Sequence, residues 1–161
     1  MVSGALELQA RVREDVSAIE ALRTGSPAPP WTGRADTTRS AWGEDFAIVA
    51  LRVGQDFYGG DDGADAEHEA FETERWGVVL ALDARWGPHG ELPTDAYAER
   101  EAEGAPVPPF YEALFELGYY GDLQVWEAGA GRTVGVGTGR ADREEPVVLF
   151  AVALPTAVSA G

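Results

Sequence analysis

Few side chains in this 161-residue sequence can do covalent or acid–base chemistry: there are two histidines and no cysteine or lysine. His68 lies within an acidic run, and His89 follows the turn Gly87-Pro88-His89-Gly90. The most conspicuous partner for an imidazole is Asp83, near the end of the apolar run RWGVVLALDAR. A carboxylate where an apolar strand ends, with a histidine beyond the next turn, has the residue types of a general acid–base pair. The competing role for Asp83 is an ion pair with Arg52 or Arg85, and the sequence favours it. Neither a G-x-S-x-G elbow nor an H-E-x-x-H pair occurs. No catalytic residue is therefore assigned, with Asp83 and His89 as the alternative.

A second group of residues has the chemistry of recognition. Residues 54–74 contain eight acids and no arginine. Their spacing fails as a calcium loop: with Gly63 at the sixth position, the third is Gly60 and the first is Tyr58, so two defining ligands are missing. No metal site and no cofactor are expected. What the segment suits is a cationic partner. Asp61, Asp62, Asp65, Glu67 and Glu69 would meet Arg or Lys, and Phe57 and Tyr58 would add apolar and cation–π contact, with Phe71 as a further aromatic. The alternative for these rings is the core. Another run, Gly135-Val136-Gly137-Thr138-Gly139-Arg140, has some of the glycines of a phosphate loop, but it alternates as a strand and acids follow it. Glycines 135 and 137 are expected to make room for a bulky neighbour such as Trp126.

Composition narrows the classes further. Without cysteine there is no disulfide framework, thiolate metal site or cysteine nucleophile. Without lysine there is no Walker-type loop and no Schiff base. Arginine as the only long cation, with abundant Ala and Gly, fits a GC-rich bacterial coding sequence. The formal net charge is −16. Residues 1–40 are neutral, so the whole excess lies beyond them. Such a field repels nucleic acid and anionic lipid, and it accelerates encounter with a basic protein. Solubility alone also explains an acidic composition. No stretch approaches the roughly 18 apolar residues of a membrane span, and residues 1–22 carry four acids, unlike a secretory signal. The expected location is the cytoplasm.

The elements that must position these groups follow from periodicity. Leu8, Val12, Val16, Ile19 and Leu22 form one face of an N-terminal helix within residues 1–24. Residues 25–43, rich in Pro and Thr, form a docked connection carrying Trp31 and Trp42. Strands are expected over 46–53, 75–85, 123–127, 133–138 and 146–154, with helices over 94–103 and 110–117. The last strand is apolar throughout and belongs at the sheet's centre. The fold class is α+β: a mostly antiparallel sheet of about five strands, with the N-terminal helix and one or two further helices packed on one face. One domain over 1–161 is expected, with a sheet-and-helix core over 44–154 and a flexible tail over 155–161.

The expected function is a non-enzymatic, acidic protein-binding module. Its concrete form is a bacterial immunity or antitoxin-type inhibitor, whose carboxylates occupy the places of phosphates in a basic partner's site. One alternative is a small enzyme or ligand-binding domain, with Tyr111, Tyr119, Tyr120 and Trp126 lining a pocket and Asp83 or His89 as its polar group. The other is a structural or assembly subunit.

Overall fold

The computed structural model describes residues 2–24, 39–54, 64–129, 131–140 and 145–160. Trp31 and the expected contact residues Phe57, Tyr58, Asp61 and Asp62 lie outside the described residues. The described elements are helix α1 (Val2–Thr24), strands β1 (Ala41–Trp42) and β2 (Ala47–Val53), helix α2 (Ala64–Trp86), strand β3 (Gly90–Leu92), helices α3 (Asp95–Ala102) and α4 (Pro109–Glu116), strands β4 (Leu123–Glu127), β5 (Arg132–Gly139) and β6 (Val148–Pro155), and the short helix α5 (Thr156–Ala160).

The six strands form one sheet in the order β1-β2-β6-β5-β4-β3, every neighbouring pair antiparallel. This is the expected α+β class, with one strand more. The uninterrupted apolar run of β6 places it inside the sheet, between β2 and β5, and it is buried from Val148 to Leu154. Gly129 and Gly131, at φ of 80° and 76°, form the turn between β4 and β5, a conformation that a side chain would strain.

Helices cover both faces of the sheet rather than one. Ala47, Val49, Leu51, Leu149 and Ala151 pack with Val16, Ile19 and Leu22 of α1 and Val78, Val79 and Leu82 of α2. The alternate residues Ile48, Ala50, Phe150 and Val152 face Tyr97 of α3 and Phe110, Tyr111 and Leu114 of α4. The reason lies in β2 and β6 themselves: strands apolar on both sides must bury both, so a single helical layer does not suffice.

The largest departure from the sequence-based expectation is residues 75–85, which are helix and not strand. They form the second half of α2, which begins inside the acidic run. Phe71, Glu74, Val78 and Leu82 are buried at steps of three and four, while Leu80 is 70% exposed, a helical pattern that an isolated apolar run conceals. Asp65 and Glu67 in the first turn oppose the positive end of the helix dipole. The acidic segment is thus, from Ala64 onward, the first half of a 23-residue helix.

Gly135 and Gly137 do lie against bulky neighbours, but Trp126 is not among them. A Cβ on Gly135 would stand 2.7 Å from a methyl of Val125 and 2.8 Å from the carbonyl oxygen of Gln124, and one on Gly137 2.5 Å from Leu123. Trp126 packs on the opposite face, with α1 and α2. Beyond β6, Thr156–Ala160 is helical where a tail was expected, and the Tyr111 hydroxyl donates to the Val158 carbonyl.

Candidate functional site

Residues spaced by three or four along a helix share a side. On α2 this rule aligns Asp65, Glu69, Glu72, Trp76 and Leu80, each three or four residues after the last. The stripe changes character along its length, from carboxylates in the first turns to large apolar side chains further on. Trp76 is 43% exposed and Leu80 more so, although both belong to a helix whose other side is core. With Leu8 of α1 they border a surface groove of about 670 Å³, in which Glu69, Glu72 and Gly77 also take part. Gly77 explains the close approach of the helices, since a Cβ there would lie 2.9 Å from a methyl of Val12.

The acidic part of the stripe is tied to the sheet at one point. Glu72 accepts the Thr138 hydroxyl and pairs with Arg75, whose Nε donates to Gln124 at 2.8 Å and whose Nη2 donates to the Asp122 carbonyl at 2.8 Å. Asp65 and Glu69 are exposed. Of the expected partner-contacting residues within the described chain, these two share the stripe. Glu67 leaves it and leans on Gly54, where a Cβ would meet its Oε1.

Two other members of the acidic run turn inward. Phe71 is buried, and the Arg52 guanidinium lies 4.9 Å from the centre of its ring, so its cation–π contact is internal. Glu74 is fully buried, with Oε1 3.2 Å from Nε of Arg11 and 2.7 Å from Nε of Arg52. The Arg52 contact is an ion pair without hydrogen-bond direction, and Oε2 of Glu74 finds no hydrogen-bond partner among the described residues.

Asp83 and His89 do meet, whereas the expected ion pairs of Asp83 with Arg52 or Arg85 do not form. Those pairs assumed a strand over 75–85; with this segment helical, Arg52 of β2 reaches Glu74, and Arg85 reaches Glu20 of α1 at 2.6 Å. The chain after α2 folds back over Asp83. His89 donates its backbone N–H to Oδ1 at 2.9 Å, and its Nδ1 stands 3.1 Å from both carboxylate oxygens. The Trp126 indole N–H donates to the same Oδ1 at 3.1 Å, and Nε2 of His89 lies 3.3 Å from Glu91. Acid–base work on a substrate needs a ring nitrogen that faces it. Here each nitrogen faces a carboxylate, and the adjoining cavity of about 550 Å³ is lined by Trp86, Trp126 and Glu127 rather than by Asp83 or His89. The arrangement clasps the turn between α2 and β3. Among the described residues, no group of three or more His, Asp or Glu side chains converges as metal ligands.

The four aromatic residues expected around a pocket are dispersed. Tyr111 and Tyr119 are core, Tyr120 is exposed and stacks on Phe115, and Trp126 lies on the other sheet face. Tyr111 stacks on Tyr97 with ring centres 3.8 Å apart, and burial, reinforced by the Tyr97 phenol, pushes its ionisation far above the usual tyrosine range.

Trp76, Leu80 and Leu8 are the site residues that sequence reasoning missed. No period in the sequence marked them: the series 71, 74, 78 and 82, which joins the acidic and apolar halves of α2 in one helical phase, includes Glu74 and emerges only from burial. No helix among the described residues is long and apolar enough to cross a membrane. No protein-family model matches the chain, and no curated protein or solved structure matches it.

Proposed function

We propose that this chain is a protein-binding module that holds a basic protein partner against the acidic, tryptophan-bearing side of α2. The observation that carries the reading is the stripe itself: exposed carboxylates at 65 and 69 run directly into exposed Trp76 and Leu80. Exposed apolar groups rimmed by charge mark interaction surfaces, and tryptophan is enriched among residues that dominate binding energy. The net charge of −16 supplies steering toward a cation.

The mechanism is occlusion. Carboxylates of α2 occupy positions that phosphates or other anions would take on the partner, and Trp76 and Leu80 provide the apolar anchor first assigned to Phe57 and Tyr58. An inhibitor of the immunity or antitoxin type is the form of this function that the charge pattern suits best. The first test uses an Arg/Gly/Ser peptide of about 18 residues as a bare cationic probe, with titrations at low and high salt. Binding should weaken steeply as salt screens the charges, and Asp65→Asn/Glu69→Gln should remove it while the circular dichroism spectrum is retained. Equal binding by the double variant would contradict the proposal.

A further inference from the structure

We infer that the element of the partner seated in the α1–α2 groove is an amphipathic α-helix, with an apolar stripe for Trp76, Leu80 and Leu8 and a cationic side chain for Glu69. This rests on the proposed function above and adds the form of what is bound.

Three observations select a helix over other occupants. First, the groove lies between two α-helices, whose backbone N–H and C=O groups along its length are consumed in their own ladders. An extended peptide gains most of its affinity from pairing with a free strand edge, and among the described residues no strand lines this groove. A helix arrives with its backbone already satisfied and docks through side chains alone. Second, the spacing fits: from Asp65 to Leu80 the stripe runs about 22 Å along α2 at 1.5 Å per residue, the length of a helix of about 15 residues. Its acidic and apolar portions follow one another along the axis, so a partner helix needs basic residues at one end of its contact face and apolar ones at the other. Third, charge disfavours two other occupants. A second copy of this chain would bring the same acidic stripe and a further −16 into contact with the first, and an anionic membrane surface is repelled in the same way.

The probes are three synthetic peptides of about 18 residues and equal positive charge: a Leu/Arg amphipathic helix whose contact face carries Arg at one end and Leu along the rest, the same composition scrambled to destroy the helical period, and the Arg/Gly/Ser peptide. Affinity is read by calorimetry, and the site by indole emission of the wild type and of Trp76→Ser. The amphipathic helix should bind at least about tenfold more tightly than the other two. Trp76→Ser, and independently Leu80→Gln, should remove that advantage. Equal affinity for all three peptides, or an advantage that survives both substitutions, overturns the helical occupant while the charge-based function stands. Absence of binding by all three overturns both.

Discussion

Glu74 shows how far a residue's role depends on what surrounds it. A fully buried carboxylate between Arg11 and Arg52 is stable only with its cations, because an isolated buried charge is far costlier than a neutral group of the same shape. Both arginines are about 30% exposed and can reach water if the acid is removed. The two sides of the pair should therefore respond unequally: Glu74→Gln should cost about 1–2 kcal/mol, and Arg11→Met/Arg52→Met about 3–5 kcal/mol, in urea unfolding. Tyr111 makes a second prediction. Its folded-state ionisation is raised by burial and by Tyr97, while in the unfolded chain it titrates near the ordinary value of about 10. Above that pH the unfolded chain releases a proton that the folded chain retains, so unfolding is favoured as pH rises. The contribution is fully present below about pH 10 and lost above it. Urea midpoints should fall less steeply for Tyr111→Phe than for the wild type between about pH 10 and 11.5. At this scale the sequence was informative about proximity and poor about partners. Asp83 and His89 do come together, yet the arginines expected beside Asp83 belong to Glu74 and Glu20, because pairing depends on where whole elements pass one another.

Elements with a full local signature were legible. The repeat of Leu8 to Leu22 gives α1, the all-apolar run gives β6, and glycines either side of residue 130 give the β4–β5 hairpin. α2 was not legible as one unit, because its two halves have different compositions: an acidic run that reads as loop and a valine- and leucine-rich run that reads as strand. Only burial at 71, 74, 78 and 82 joins them, and burial is a tertiary property. β1 and β3, of two and three residues, are held by pairing with neighbours and have too little sequence to announce them. The glycines of β5 test the packing at this scale. Gly135 sits where a Cβ would press on the Gln124 carbonyl, a backbone atom that cannot rotate away, and on Val125. Gly135→Ala should cost about 1–3 kcal/mol by thermal or urea unfolding, despite the smaller entropy of the unfolded chain. No cost would mean that the β4–β5 pair relaxes more readily than its packing implies.

For the whole molecule, the organising fact is the location of uncompensated charge relative to apolar surface. The first 40 residues contribute no net charge, yet α1 supplies Leu8 to the groove, and the acids concentrate at the beginning of α2 on the other side of it. The sheet packs α1 and α2 side by side on one face, so from Asp65 onward the acids and the exposed Trp76 and Leu80 belong to one built surface. Photo-crosslinking in the native host tests this most directly. With a benzophenone side chain at position 69 or 80, adducts with a basic protein are expected from both positions, and those at position 80 should be lost when Asp65→Asn/Glu69→Gln is added. Adducts chiefly with acidic proteins, or adducts at position 80 that persist undiminished after the charges are removed, would contradict it.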